Sequence, residues 1–185
     1  MGSIINVSSL DLTEVKLIEV RTSADERGSN TKVFSDDDLK SVGISFIPLE
    51  ILSIHSNRNV LRGLHYQKCH GQGRIISCLK GELFLGIVDL NPYSHQFGKS
   101  CAYNLKKSNE YVYIPPDYAL GTLAIKDSDF LCLCSDNPFM PEYASGVKWD
   151  DTDLGIEWPL GTESIITSRG DGKLPSYNDT MKELK

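Results

Sequence analysis

The 185-residue sequence lacks long apolar runs, and no segment approaches the roughly 18 uninterrupted apolar residues of a membrane helix. Residues 1–16 contain no basic stretch followed by an apolar one, so no secretory signal peptide is visible. Internal repeats, Gly/Ser-rich linkers and shifts in composition are also missing. We therefore expect a single domain over residues 1–185, with a C-terminal tail from about residue 161 packing on it.

Cysteine and basic residues are both in short supply. The five cysteines are odd in number and include no C-x-x-C pair, a pattern that fits neither a disulfide framework nor a zinc site. We expect a reducing, cytoplasmic location and no association with membranes. The 19 Lys and Arg against 25 Asp and Glu give a net charge of -6. This charge disfavours nucleic-acid binding but leaves room for one small anionic ligand.

Motifs of several enzyme classes are absent. The four histidines form no H-x-H or H-E-x-x-H pair, so ligands for a transition metal are few and a metal-free site is expected. Neither a G-x-S-x-G elbow, a P-loop nor a G-x-G-x-x-G motif occurs. Their absence removes the sequence argument for a serine hydrolase, a P-loop NTPase or a Rossmann dehydrogenase.

Short β-favouring runs separated by turn residues make up most of the chain. Their spacing of roughly ten residues predicts an all-β sandwich or barrel rather than alternating β and α units. One short helix is expected, with Ser35 as its N-cap and Gly43 as its stop. The tail beyond residue 161 is expected to form short helical turns or loops. The predicted strands are 60–67, 74–79, 82–89, 101–105, 111–114, 121–125 and 130–135.

The strand predicted over residues 60–67 contains the histidine with the clearest functional signal. Strict alternation places His65 on the face opposite Arg62 and Leu64. A histidine in the middle of a barrel strand can line a ligand cavity. The alternative is a core histidine whose ring is hydrogen-bonded to a backbone carbonyl, and the strand alone does not decide between the two.

Four motifs occur together: DERG at 25–28, VLRGLHYQ at 60–67, QGR at 72–74 and WDDTDLGIEWP at 149–159. In this combination the chain resembles the dTDP-4-dehydrorhamnose 3,5-epimerases, a family of nucleotide-sugar epimerases, over about residues 10–176. The resemblance implies an all-β fold, a cupin-type jelly-roll β-barrel with short flanking helices. It implies an isomerase of deoxysugar and polysaccharide biosynthesis that needs no cofactor and forms a homodimer.

Epimerisation beside a ketone needs a base for the α-proton, stabilisation of the enolate oxygen, and an acid on the opposite face. The resemblance implies that His65 is the base and that Asp171 holds its ring. Neutral imidazole is basic enough at neutral pH, and a carboxylate on its second nitrogen fixes the tautomer. The residues that the resemblance implies for substrate binding are Arg27, Arg62, Arg74, Gln72 and Ser56.

Two of these arginines have specific expected contacts. Arg62 matches a residue that contacts the diphosphate, and a guanidinium is suited to bidentate phosphate binding. Arg74 stands where the family has a lysine near the 4-keto oxygen, and its charge there would stabilise an enolate. The alternative for Arg74 is a surface arginine that follows a turn.

The chain also departs from the family. The catalytic tyrosine is replaced by Cys132, and a thiol can donate a proton, with an ordinary pKa of about 8.5 against about 10 for tyrosine. Cys132 is therefore the candidate acid, and a small buried core residue is the alternative. Leu120 replaces a histidine, Lys32 replaces a glutamate, and Glu50 and Leu52 replace amides, changes that indicate an altered substrate. Other possible proton donors are Tyr66, Tyr111, Tyr113, Tyr118 and Tyr143.

Three functions remain open at this point. The first is a cofactor-free epimerase acting on a 4-keto-deoxysugar linked to dTDP, CDP or GDP. Inversion of one carbon, C3 or C5, is expected rather than both, because the usual acid is missing. The second is a sugar-nucleotide ketoisomerase, which would shift the carbonyl instead of inverting a centre. The third is a catalytically silent cupin that binds a nucleotide sugar.

Overall fold

Two antiparallel β-sheets form the barrel in the computed structural model, which describes residues 3–184. The first sheet contains, in spatial order, β1 (Ile4–Ser9), β2 (Lys16–Val20), β10 (Glu110–Ile114), β7 (Gly73–Lys80), β12 (Ser128–Ser135) and β5 (Glu50–Ser56). The second contains β13 (Ala144–Gly146), β6 (Leu61–Gln67), β11 (Tyr118–Ala124), β8 (Leu83–Asp89) and β9 (Ser100–Leu105). A separate hairpin consists of β3 (Thr22–Asp25) and β4 (Gly28–Thr31), and the helices are α1 (Asp36–Ser41) and α2 (Tyr177–Glu183).

The main core lies between the two sheets. Ile76 and Val112 of the first sheet and Leu85 and Ile87 of the second are completely or almost completely buried in one cluster. β8 is buried along nearly its whole length, which explains its almost continuous apolar sequence, because both of its faces are covered. The predicted all-β, cupin-type jelly-roll barrel with short flanking helices is confirmed.

The chain beyond β12 covers the outer face of the second sheet. The ring of Trp158 lies over Gly86 and Gly121, where an added Cβ would come within 2.7 and 3.2 Å of its Cη2 atom. Trp158 Nε1 donates a hydrogen bond of 2.9 Å to Trp149 O. Met181 of α2 belongs to the same buried cluster. The tryptophan motif at 149–159 therefore seals the outer side of the barrel.

All seven predicted strands occur, with ends displaced by at most three residues. The helix predicted after Ser35 is α1, although the Ser35 hydroxyl donates to Asp38 Oδ2 at 2.9 Å instead of capping a backbone N–H. The tail beyond residue 161 contains α2 and 3₁₀ turns, as predicted. The sequence pattern gave no signal for β1–β5 and β13, most of which are largely exposed. None of the helices described for residues 3–184 is long and apolar enough to cross a membrane.

Candidate functional site

β6 contains a β-bulge between Arg62 and His65. On the neighbouring strand β11, Leu120 pairs with His65 and Thr122 pairs with Arg62, so three steps along β6 match two steps along β11. Gly63 within the bulge has a φ of 124°, a conformation that glycine adopts far more readily than residues with a Cβ. An added Cβ at this position would lie only 2.5 Å from Leu120 O, so the bulge depends on glycine.

The bulge puts Arg62 and His65 on the same face of β6. Both side chains are exposed and line one cavity, whereas Leu64 and Tyr66 are buried in the cluster on the outer side of the sheet. The prediction that Arg62 and His65 lie on opposite faces is therefore wrong. The prediction fails because the bulge inserts one extra residue into β6. Every side chain after the bulge therefore points to the face opposite the one that strict alternation predicts.

His65 is hydrogen-bonded to Asp171, the residue predicted to hold its ring. His65 Nε2 lies 2.8 Å from Asp171 Oδ1, and the Asp171 side chain is 10% exposed against 51% for His65. The Asp171 backbone N–H donates to Ser168 Oγ at 3.0 Å, which holds the turn that carries the carboxylate. With Nε2 engaged by Asp171, Nδ1 is the ring nitrogen left to accept a proton from a ligand.

Two cavities of about 150 and 300 Å³ both have His65, Arg74 and Cys132 in their walls. His65 belongs to the second sheet, whereas Arg74 on β7 and Cys132 on β12 belong to the first. The smaller cavity also contains Arg62, and the larger one also contains Gln72. The candidate base and the candidate acid therefore stand on opposite walls of one space.

Arg74 is buried, with 9% of its surface exposed, so the alternative of a surface arginine after a turn is wrong. Its Nη1 donates to His65 O at 3.1 Å and its Nη2 donates to Tyr118 O at 2.8 Å. Both of these acceptors are uncharged carbonyl groups, and Nε has no hydrogen-bond partner among residues 3–184. Burial lowers the pKa of the Arg74 guanidinium, because removal from water disfavours the charged form.

Arg62, Ser56 and Gln72 lie close to these cavities in different roles. Arg62 Nε donates to Ser56 Oγ at 3.0 Å, and Arg62 Nη2 donates to His55 O at 3.2 Å. Ser56 itself is buried, with 3% exposed, so its contribution is to hold the Arg62 side chain through this hydrogen bond. Gln72 lines the larger cavity and donates through Nε2 to Asn137 O at 3.0 Å.

Arg27 stands apart from the other predicted site residues. It lies on the β3–β4 hairpin, where its side chain is 83% exposed and its Nη2 is 2.6 Å from Asp25 Oδ2. Together with Arg21 and Lys32 it lines a separate concave surface of about 630 Å³. Arg27 lines neither of the two cavities that contain His65. Within one chain, therefore, the hairpin does not reach the candidate base.

Sequence reasoning missed Cys134, which also lines the larger cavity. The Sγ atoms of Cys132 and Cys134 are 3.8 Å apart, and the two residues are 8% and 3% exposed. The hydrogen bond with Cys134, together with burial, raises the pKa of Cys132 well above its ordinary value. The same hydrogen bond and the charge of Arg74 lower the pKa of Cys134, against the opposing effect of burial. Alternation was the missed signal, because residues i and i+2 of a strand share a face.

Most of the alternative proton donors lie elsewhere. Tyr118 OH, for example, donates to the buried carboxylate of Asp89 at 3.0 Å. Tyr66 borders the larger cavity, but its side chain is buried in the cluster on the outer side of the sheet, on the face of β6 opposite His65. Cys132 therefore remains the candidate acid on the wall opposite the base. Of the five alternative tyrosines, the four that line neither cavity are Tyr111, Tyr113, Tyr118 and Tyr143.

The chain is similar to known proteins in sequence and in fold. The family described as dTDP-4-dehydrorhamnose 3,5-epimerase matches residues 9–179. The dTDP-4-dehydrorhamnose 3,5-epimerase of Methanothermobacter thermautotrophicus is 34% identical over 157 residues, which make up 84% of this chain and 85% of the relative. The crystal structure of the Legionella pneumophila dTDP-6-deoxy-D-glucose-3,5-epimerase in complex with dTDP-4-keto-L-rhamnose has a TM-score of 0.90 at 31% identity, covering 97% of this chain and 96% of that one. The 3'-monoepimerase of Streptomyces bikiniensis in complex with dTDP-quinovose has a TM-score of 0.85 at 25% identity, with coverage of 96% and 90%.

Proposed function

The chain belongs to the dTDP-4-dehydrorhamnose 3,5-epimerase family, and on that premise we propose that it inverts C3 or C5 of a nucleotide-diphosphate 4-keto-deoxysugar. The single observation that supports this reaction best is the pair His65–Asp171 facing Cys132 across one cavity. Removal of a proton on one side of a planar enolate and its return on the other side inverts a carbon. Both groups must therefore flank the sugar ring.

The proposed reaction begins at His65. Its Nδ1 accepts the proton from the carbon next to the C4 ketone, and the electron pair of the broken C–H bond moves into an enolate with the charge on the C4 oxygen. Asp171 stabilises the resulting imidazolium through its hydrogen bond to Nε2. Arg74 lines both cavities and supplies positive charge that stabilises the enolate.

Cys132 completes the inversion from the opposite wall. Its S–H gives a proton to the enolate carbon, a C–H bond forms on the new face, and the sulfur is left as a thiolate. The proton on His65 then returns to solvent and Cys132 takes one up, so the enzyme is regenerated without net change. Because base, acid and cation all come from side chains of the chain itself, the proposed reaction is independent of a cofactor.

Substrate anchoring is assigned to the nucleotide diphosphate. Arg62 lies beside His65 on the same face of β6 and is held by Ser56, a position suited to contact phosphate oxygens. The nucleotide-sugar ligands named for the solved relatives carry dTDP, which favours dTDP over CDP and GDP. One of these relatives is named a 3'-monoepimerase, which supports the proposal that a single centre is inverted.

A homodimer is part of the proposal. The β3–β4 hairpin is almost entirely exposed and lines neither His65 cavity of its own chain, which supports a contribution of Arg27 to nucleotide binding at a second copy. We further propose that residues 1–185 act as one domain in the cytoplasm, within deoxysugar and polysaccharide biosynthesis. Unpaired thiols at all five cysteines of the described chain support a reducing location.

Proton NMR in D₂O tests the proposed function. The dTDP-, CDP- and GDP-linked 4-keto-6-deoxyhexoses are offered separately to the full-length protein, and the products are followed at C3 and C5. Deuterium at one of these carbons together with a new stereoisomer is the expected result, and the nucleotide that supports it identifies the substrate. A shifted carbonyl would indicate a ketoisomerase instead. Saturable binding without any exchange would indicate a binding protein and overturn the epimerase proposal.

A further inference from the structure

Three polar side chains, those of Arg74, Cys134 and Glu50, lie side by side on neighbouring strands of the first sheet at the candidate site. Cys134 pairs in register with Arg74 of β7 on one side and with Glu50 of β5 on the other. Directly opposed residues of neighbouring antiparallel strands project to the same face and lie within side-chain contact. Two positions along β12, the Sγ of Cys132 lies 3.8 Å from that of Cys134. Cys134 therefore lies between a buried cation, a carboxylate and the candidate acid.

The Arg74 guanidinium needs a negative charge nearby. It is 9% exposed, donates only to two backbone carbonyls, and leaves Nε without a partner among the described residues. A buried cation that lacks an anionic partner is strongly disfavoured. The Glu50 carboxylate accepts hydrogen bonds from Phe139 N at 3.1 Å and from Gln72 Nε2 at 3.3 Å. Cys134 is the other ionisable group that faces Arg74, and a thiol beside an arginine readily ionises.

The positive charge of Arg74 also acts on the Cys132 thiol, in a direction that opposes its role as an acid. A thiol that serves as an acid must hold its proton at neutral pH, yet a buried guanidinium in the same cavity favours its ionisation. In the resting enzyme two thiols 3.8 Å apart share one negative charge, because like charges repel at this distance. During turnover the second charge lasts only until Cys132 takes up a proton again. If one of the pair carries the thiolate, the other keeps its proton and donates a hydrogen bond to it.

We propose that Cys134 is the positioning residue of the acid: it carries the negative charge opposite Arg74 and accepts a hydrogen bond from Cys132, so that Cys132 keeps the proton that the reaction needs. The inference rests on the proposed function in one respect, namely that Cys132 is the acid. The location of the charge is independent of it. The groups that face Cys134 are Arg74 from β7, Glu50 from β5, Cys132 from β12 and His65 across the cavity.

The first test counts thiolates and does not depend on activity. Ultraviolet absorbance of the thiolate is titrated in the full-length protein, with the exposed Cys69 replaced by Ser throughout to remove its contribution. We expect about one thiolate per chain at neutral pH, retained in Cys134→Ser and in Cys132→Ser and lost only when both are replaced. The control Cys78→Ser changes another buried thiol on β7 and should leave the count unchanged. A count of zero in the parent protein would overturn the inference, whatever the activity.

The second test measures the pH profile of inversion. In Cys134→Ser the charge of Arg74 acts on Cys132 alone, so the alkaline limb of kcat should move down by about one pH unit or more. Glu50→Gln should shift the thiolate midpoint down as well, because the carboxylate that opposes ionisation of Cys134 is gone. An alkaline limb that stays in place in Cys134→Ser would overturn the positioning role. Absence of any turnover in the parent protein would overturn the proposed function, while the thiolate count would still show whether the cysteine pair carries one negative charge.

Discussion

Arg62 and His65 project from the same face of β6, although the three steps between them would separate two residues of a regular strand. The bulge at Gly63 supplies the odd residue that brings them together. A candidate base and a candidate phosphate-binding cation therefore line one cavity from a single rigid strand, which fixes their spacing better than a loop would. The arrangement depends on a backbone conformation at one glycine.

Replacement of that glycine should be costly. In Gly63→Ala the new Cβ would meet Leu120 O at 2.5 Å, at a φ of 124°. We expect a loss of about 1–3 kcal/mol or more in the free energy of unfolding, measured by urea denaturation. Gly172→Ala is the matched control, because an added Cβ there meets nothing within 4 Å, and its effect should stay within about 0.5 kcal/mol. Equal stability of the two variants would contradict the structural role given to Gly63.

Asp171→Asn should reduce kcat by about 10²–10⁴ with little change in KM. The amide can donate to His65 Nε2, which forces the ring proton onto Nδ1 and removes the basic nitrogen from the cavity. Steady-state kinetics on the natural nucleotide sugar provides the measurement.

The surface pair His55–Asp129 is the control for this variant. His55 Nδ1 lies 2.6 Å from Asp129 Oδ1, outside the cavities that contain His65. Asp129→Asn should leave kcat unchanged and lower the pKa of His55, which the hydrogen bond donated by His55 to Asp129 raises. Equal losses of activity in the two aspartate variants would contradict a specific role for Asp171.

Arg62→Lys should raise KM about tenfold while kcat stays within about twofold. Lysine keeps the charge but cannot hold both Ser56 Oγ and His55 O while presenting a fork to a diphosphate. Ser56→Ala removes one anchoring hydrogen bond and should raise KM by less. A fall in kcat with an unchanged KM would place Arg62 in the chemical step instead of in binding.

A cluster around Asp38 should make stability depend on acid pH. Asp38 Oδ2 accepts hydrogen bonds from Ser3 Oγ at 2.6 Å and Ser35 Oγ at 2.9 Å and pairs with Lys32 Nζ at 2.9 Å. These contacts hold the pKa of the Asp38 carboxyl well below its usual range. Because the folded value lies below the unfolded one, the stabilisation is present above the ordinary aspartate pKa of about 3.9 and is lost as the pH falls below it.

Asp38→Asn should therefore destabilise the protein at neutral pH, and the difference from the parent should shrink as the pH falls through this range. Thermal unfolding at several pH values provides the measurement. Asp37→Asn, on the same helix but exposed, reports the contribution of helix charge alone. A difference between Asp38→Asn and the parent that does not change with pH would contradict the cluster.

The sequence predicted the inner strands well and the site only in part. Runs such as β8 are buried on both faces and therefore have an apolar signature, whereas β1 and β5 have mixed, exposed sequences without one. The spacing of Arg62 and His65 could not be read from a single strand, because a bulge depends on the register with β11. The pairing of His65 with Asp171 spans 106 positions, and only the family resemblance indicated it.

Other features of the site differ in how far the sequence alone could predict them. Cys134 could have been predicted from the sequence, because it lies two positions after the candidate Cys132 on the same strand and therefore on the same face. The burial of Arg74 could not have been predicted in this way, because its guanidinium is held by carbonyl groups of β6 and β11, two strands of the other sheet. Arg27 belongs to a motif of the family, yet only the fold shows that its hairpin lies away from the cavities of its own chain.

Deuterium incorporation at the inverted carbon tests the central claim most directly. Parent protein and His65→Ala are compared in D₂O with the nucleotide 4-keto-deoxysugar that the parent converts, and circular dichroism confirms that the variant is folded. We predict that the parent incorporates solvent deuterium and forms a new stereoisomer, and that exchange in His65→Ala is slower by at least about 10²-fold. Exchange and inversion at near-parent rates in a folded His65→Ala variant would contradict the assignment of His65 as the base.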